Sequence, residues 1–494
     1  MIRECHSVFP ASGILQILWG RPPGLRGSPW TGFFAFRTRP FVIATGRRGR
    51  RPRSRGPAPQ FRNIRIVSGK EASFLTSRVF PLLALFCLLL VPGWGAALDE
   101  AGFFLKDGDR VVFYGDSITD QRMYTTFTET YVLTRFPQMQ VTFINSGVSG
   151  DRVTGGEGGS IDVRLQRDVF AYKPTVMTIM LGMNDGGYRA FDQQIFDAYA
   201  GGYRHIVQMA KQAVPGIRLT LIRPSPYDDV TRPATFAGGY NKVLVRYGEF
   251  IEEFGQREGL TVADLNTSVV AALEQANRVS AAAAQKIVPD RVHPSPGGHL
   301  LMAEALLKAW KAPAVVTAVE IDVAGKRTVH EDNTRVTDLE TGGRIAWTQV
   351  DRALPMPLDS ENESVTVALR SSDFVDALNQ EPLKITGLTA ARYTLKIDSV
   401  SVGSFARQQL EAGVNLATMA TPMATQAAAV HNLTLRHGIL HFARWRLVQL
   451  NLRNIRAAHM QAAVDALDAL DEEVIQQQRA AAQPNPHRYE LAAE

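Results

Sequence analysis

Four short runs in this sequence combine residue types that can move an acyl group. At Gly115-Asp116-Ser117-Ile118 a strand pattern runs into a turn and then a helix pattern. Such a turn presents a serine hydroxyl at a helix N-terminus, where unpaired N–H groups and the helix dipole favour developing negative charge. Taken alone, Gly, Asp and Ser are ordinary turn residues. Asn145-Ser146-Gly147 closes a second strand pattern, with Gly150-Asp151-Arg152 just beyond it. A glycine there either lets a backbone N–H approach a ligand or simply makes the turn. Gly182-Met183-Asn184-Asp185 closes a third strand pattern, and its Asn184 amide can donate to an oxyanion or cap a following helix. Asp290-Arg291-Val292-His293-Pro294 precedes a helical pattern over 297–310. An Asp three residues before a His can accept from one ring nitrogen and leave the other free for a serine proton. The plain alternative is a surface His beside a capping Asp.

The surrounding elements decide whether these pieces can meet. Strand-like runs at 109–115, 140–147, 175–182, 218–225 and 260–265 alternate with amphipathic helical runs at 124–136, 196–214 and 240–256. Strands that are apolar on both sides, alternating with helices, predict a parallel sheet covered on both faces. Ligand sites in such sheets lie beyond the carboxyl ends of the strands, which is where the first three runs fall. After Trp310 the pattern changes. Strands are expected at 316–323, 334–340 and 344–351, with a hairpin over 392–405. A helical stretch from about 406 then ends in a polar tail, PNPHRYELAAE.

Together, and in this order, the four runs resemble the SGNH/GDSL hydrolase superfamily, whose four blocks carry Ser, Gly, Asn and His. The resemblance spans roughly 105–310. It implies an α/β fold, a three-layer α/β/α flavodoxin-like domain on a parallel sheet, followed here by a small β-rich segment and a helical C-terminal region. It implies serine ester hydrolysis, with Ser117 as nucleophile, His293 as general base and Asp290 orienting it. The implied oxyanion donors are the Ser117 N–H, the Gly147 N–H and the Asn184 side chain. The block's usual Leu after the Ser is Ile118 here, and the G-x-S-x-G elbow of α/β-hydrolases is missing.

Charge is unevenly spread. The net charge is +6, but residues 1–78 hold 15 Lys and Arg against Glu4 and Glu71, a local +13 that leaves −7 for 79–494. A nucleic-acid partner would rest on that leader alone and is not expected. The run VFPLLALFCLLLV (79–91) follows Arg78 and precedes the small residues Gly95-Ala96-Ala97. It is too short to span a bilayer core of about 30 Å, and reads as the h-region of a signal peptide over 76–97. A secreted or periplasmic protein is therefore expected, with no stable membrane insertion after cleavage. Residues 1–75 read as a basic disordered leader, or as untranslated sequence if translation starts near residue 75. Cys5 and Cys87 are the only cysteines, so the mature protein would hold no disulfide or thiolate metal site.

No metal or cofactor is expected. His293 and His299 are six apart, not at the four-residue spacing of a helical zinc pair, and His431, His437 and His441 have no ligand grouping; these read as structural or surface residues. The expected layout is a hydrolase domain over 98–312, a β-rich accessory segment over 313–405 and a helical region over 406–494. The expected substrate is a small-molecule or polysaccharide ester, most simply an acetyl ester of a carbohydrate. A lipolytic esterase or lysophospholipase, or an inactive secreted binding protein, is the alternative. Tyr188, Arg223, Tyr227 and Asp228 lie near strand ends and can line an acyl-sugar pocket or be ordinary loop residues. Trp347 is the only Trp in 313–405, so packing rather than sugar stacking is expected for that segment.

Overall fold

The computed structural model describes residues 102–494 apart from Arg456. The expected leader and signal peptide lie outside the described residues. Five parallel strands form the main sheet: β1 (Arg110–Gly115), β2 (Thr142–Gly147), β3 (Val176–Met180), β4 (Arg218–Arg223) and β5 (Thr261–Asp264), in the order β2-β1-β3-β4-β5. All five residues of β3 and five of six in β1 are buried, the two-sided burial that a covered parallel sheet demands. Alternation sends successive side chains to opposite layers. Phe113 meets Tyr124 and Trp310 on one face, while the next residue, Tyr114, lies under the Arg164 guanidinium on the other.

The helical layers are built from α1 (Ser117–Asp120), α2 (Met123–Arg135), α3 (Ile161–Asp168), α4 (Gln193–Ala213), α5 (Asn241–Glu258), α6 (Thr267–Val279) and α7 (Pro296–Ala309). Helices α2 and α6 pack on α7, and α3 and α5 pack on α4. Local sequence sets their ends. Asp192 caps α4 through the N–H groups of Gln194 and Ile195, Ser295 and Pro296 start α7, and α5 stops at Gly259, whose φ of 65° suits a left-handed cap. This is the α/β architecture expected from the strand–helix alternation.

Beyond α7 the chain forms two antiparallel-rich sheets. One holds β6 (Ala318–Asp322), β7 (Arg327–Asp332), β10 (Pro382–Thr386) and β13 (Val414–Asn415), in the order β13-β10-β6-β7. The other holds β8 (Thr334–Glu340), β9 (Ile345–Asp351), β11 (Arg392–Ile397), β12 (Val400–Ala406) and β14 (Pro486–Ala493), in the order β8-β9-β14-β11-β12. Trp347 is fully buried and stacked on Tyr489, so it packs and offers no surface platform.

The segment boundaries differ from those expected. The supposed polar tail is β14, the central strand of its sheet, so 313–405 and 406–494 interlock rather than follow one another. Its buried His487, Tyr489 and Leu491 alternate with outward residues, a period-two signal hidden by charge. The boundary near 312 is also not a packing boundary. Helix α8 (Glu363–Arg370) packs on α7, and Val365, Ala368, Phe374 and Leu378 belong to the main hydrophobic core. A methyl at Gly297 would lie 2.0 Å from the Ser364 carbonyl oxygen, so the glycine admits α8 to that layer. Two long helices, α9 (Pro422–Phe442) and α10 (Met460–Ala482), pack on each other, and α9 packs on α2. Among the described residues no helix is long and apolar enough to cross a membrane.

Candidate active site

The carboxyl end of β1 delivers Ser117 as the first residue of α1, with Asp116 as its cap: Asp116 Oδ1 accepts the Ile118 N–H at 3.0 Å. Two glycines let this short helix sit on the strand ends. A Cβ at Gly115 would lie 2.2 Å from Thr119 Oγ1, and one at Gly147 would lie 2.2 Å from the Asp120 amide nitrogen. Gly115 and Gly147 stand opposite one another in the β1–β2 ladder. Gly147 is thus held against the helix that begins at Ser117. Its N–H donates to Asn145 Oδ1 at 3.1 Å, while the Asn145 amide donates to Thr119 O and Thr125 Oγ1.

The loop before α7 brings the remaining pieces. His293 Nε2 lies 2.9 Å from Ser117 Oγ, and His293 Nδ1 lies 2.8 Å from Asp290 Oδ2. Asp290 Oδ1 accepts the N–H groups of Val292 and His293 at 3.0 and 2.7 Å. One carboxylate therefore shapes the turn with one oxygen and orients the ring with the other. The loop is braced from behind. Buried Asp228 pairs with Arg232, whose guanidinium donates to the carbonyls of Val288 and Pro289, and the Asp228 N–H donates to Arg291 O.

Asn184 lies on the turn after β3 and caps no helix; the next helix, α4, is capped by Asp192. Its side-chain amide donates to Asp151 O at 3.1 Å, and its Oδ1 accepts from the Tyr188 hydroxyl at 3.0 Å. Since an amide has two N–H bonds, the second remains available to a ligand. Tyr188 takes φ 55°, a left-handed conformation that costs a non-glycine residue energy. Its exposed ring packs on Tyr240 and Tyr227. Arg223 and Asp228, by contrast, are engaged with Asp264 and Arg232 and are loop and sheet residues.

Electrostatics favour a basic imidazole. Burial opposes the charged ring of His293, but the hydrogen bond and charge of Asp290, with the charge of Asp116, outweigh it and raise its pKa above the ordinary value. Burial pushes Asp116 up to about 7, against the Ile118 N–H that favours its ionised form. Asp290 lies below the usual carboxylate range: burial raises it, and the His293 hydrogen bond with two backbone N–H groups more than reverses that. His299 is no competing base. Burial takes it down to about 3, and it is engaged with Gln121 and stacked on Tyr124.

The C-terminal region reaches the same strand ends, which residue spacing did not reveal. His441 Nε2 donates to Asn145 O at 2.9 Å. Trp445 Nε1 donates to Asp168 Oδ1 at 2.9 Å. Asp168 pairs with fully buried Arg164, which also pairs with Asp151 and donates to Ser146 O. The backbone that accepts from Asn184 is therefore anchored through a buried ion cluster to a residue almost 300 positions away. Pairs so far apart leave no local pattern.

Comparison with known proteins bears on the fold and on the class of reaction. Residues 113–301 match the GDSL-like Lipase/Acylhydrolase family. An acetylxylan esterase of Geobacillus stearothermophilus is 26% identical over 229 residues, covering 41% of this chain and 94% of that protein. The solved structure of a gut microbial diltiazem-metabolizing enzyme is 26% identical and has a TM-score of 0.71, covering 79% of this chain and 98% of its own. That share exceeds the family match, so the likeness runs on into the C-terminal region. Residues 113–301 thus form a GDSL-like lipase/acylhydrolase domain of the SGNH/GDSL kind, and the chain is a carboxylic ester hydrolase.

Proposed function

We propose that this enzyme cleaves short acyl esters, acetyl esters of carbohydrates foremost, through a Ser117–His293–Asp290 triad. The observation that carries the reading is the continuous relay from Ser117 Oγ to His293 Nε2 and from His293 Nδ1 to Asp290. Ser117 Oγ attacks the ester carbonyl carbon as His293 Nε2 takes the hydroxyl proton. The carbonyl electron pair becomes an oxyanion, received by the Ser117 N–H, the free Asn184 N–H and the Gly147 N–H shared with Asn145. Collapse breaks the bond to the alcohol oxygen, which leaves with the proton from His293. Water then repeats the sequence on the acyl-serine, releasing the carboxylic acid and restoring the hydroxyl.

A small acyl group and a polar alcohol are supported by the cleft beside Asn184, about 280 Å³ in volume and bordered by charged residues. A long lipid chain needs a deeper apolar channel. The acetylxylan esterase relative supports the same substrate class. Secretion is supported by the signal-peptide pattern over 76–97, and N-terminal sequencing of the mature protein tests it. Turnover of p-nitrophenyl acetate and acetylated xylan by wild type and Ser117→Ala tests the chemistry. The variant should be inactive on both, and full activity in it would overturn the assignment.

A further inference from the structure

The Asn184 amide is pinned between two groups, the Asp151 carbonyl and the Tyr188 hydroxyl. Each is followed in the chain by an arginine, Arg152 and Arg189, and both arginines line the cleft that opens beside Asn184. Both are exposed, and neither guanidinium has an ion-pair or hydrogen-bond partner among the described residues. Their neighbours behave differently: Arg164, Arg167, Arg223 and Arg232 each hold a carboxylate.

One acid shares the cleft. Asp185 Oδ1 accepts the Val153 N–H at 2.9 Å, and its buried Oδ2 has no partner. Against two guanidinium groups it leaves a positive charge uncompensated even when ionised. Apart from Thr154 and Gly187, the rest of the wall is apolar, from Val153, Ile195, Ala198 and the ring of Tyr199. At about 280 Å³ the cleft falls near the lower end of ligand pockets, which start at roughly 300 Å³. That is room for one substituted ring.

We infer that this cleft is an anion subsite, in which Arg152 and Arg189 hold a carboxylate or sulfate group carried by the ester substrate. The inference rests on the proposed esterase reading. Planar guanidinium forks match both oxyanions in geometry and charge. Placed beside Asn184, they would bind the acidic substituent while the ester carbonyl sits among the oxyanion donors. The substrate class is then an acylated acidic sugar.

The test uses the full chain and three substrates on one ring: an acetylated methyl glucoside, the corresponding glucuronide and the corresponding 6-sulfate. Wild type should favour an anionic substrate over the glucoside by about tenfold in kcat/KM, chiefly through KM, as expected for charge-assisted hydrogen bonds. The preference should shrink with added salt. Whichever anionic arm shows the larger ratio identifies the group. Arg152→Gln and Arg189→Gln should each lower the ratio several-fold, the double variant should bring it to about one, and Arg→Lys at either site should restore part of it. Circular dichroism confirms that these exposed substitutions leave the fold intact. A wild-type ratio at or below one overturns the subsite, as does a ratio that persists in the double variant. Failure to turn over the glucoside and p-nitrophenyl acetate alike would instead overturn the esterase reading.

Discussion

His441 Nε2 donates to the Asn145 carbonyl across 2.9 Å, tying helix α9 to the strand that ends in Gly147. Burial, with the charge of His437, takes His441 down to about 3, so the ring stays neutral and the bond does not titrate near neutral pH. The Asn145 side chain in turn accepts the Gly147 N–H. His441→Ala should therefore lower kcat about tenfold with little change in KM, the scale of one lost hydrogen bond in a positioning residue. His441→Gln, which keeps a donor, should recover part of that loss. Steady-state kinetics check it; a change in KM alone would contradict the positioning role.

The acid limb of activity follows from the His293 environment. Only the neutral ring can accept the Ser117 proton, so kcat/KM rises through the His293 pKa. Since that pKa is raised, the limb should fall above pH 6.5. Asp116→Asn keeps an acceptor for the helix cap but removes a charge that favours the imidazolium, and should move the limb to lower pH. Asp290→Asn should also move it down and cost on the order of 10³–10⁴ in kcat, because the ring loses its orienting carboxylate. A pH profile of the three proteins is the measurement. An unmoved limb in both variants would contradict it.

Where α9 meets α2, His437 lies 2.8 Å from Glu129 and 3.6 Å from Asp471. Burial disfavours its charge, but the charge and hydrogen bond of Glu129, with Asp471, lift it to about 9. A His raised in the folded state adds stability that is complete below its unfolded pKa of about 6.5 and is lost as pH climbs through the folded value. Melting temperature should therefore fall between pH 6.5 and 9.5, and fall less in His437→Gln. The opposing group, Asp471, is raised to about 6, mainly by burial, so its influence ends below that window. Equal slopes in the two proteins would contradict the coupling.

Gly147→Ala should destabilise by about 1–3 kcal/mol or more and remove activity, since its methyl would overlap the α1 backbone at Asp120. Gly201→Ala, in α4 with open space around the added atom, should be neutral or stabilising by about 0.5–1 kcal/mol. Chemical denaturation of both variants gives the comparison. Similar stabilities would show that α1 can shift to admit the methyl.

The parallel sheet was legible because strands buried on both faces leave largely apolar runs such as VMTIM in β3, and the first three of them end at chemistry-bearing turns. Asn184 illustrates the limit of local reading. By itself it suited a helix cap as well as an oxyanion donor, and only the structure assigns the cap of α4 to Asp192. The bracing of the site by His441 and Trp445 depends on contacts between residues nearly 300 apart, which no spacing rule encodes. Strand β14 did carry an alternating signal, but His487, Arg488 and Glu490 made it read as a polar tail. Helix α8 was missed for another reason: its eight residues follow a loop inside a strand-rich stretch, too short for periodicity to declare itself.

The central claim is that Ser117 is an activated nucleophile. Intact-protein and peptide mass spectrometry after treatment with a fluorophosphonate tests it most directly. Wild type should gain one phosphonyl adduct, located on Ser117, with loss of p-nitrophenyl acetate turnover in step with labelling, and His293→Ala should label far more slowly. An unlabelled wild-type protein that still turns over the ester, or an adduct that persists in Ser117→Ala, would contradict the account.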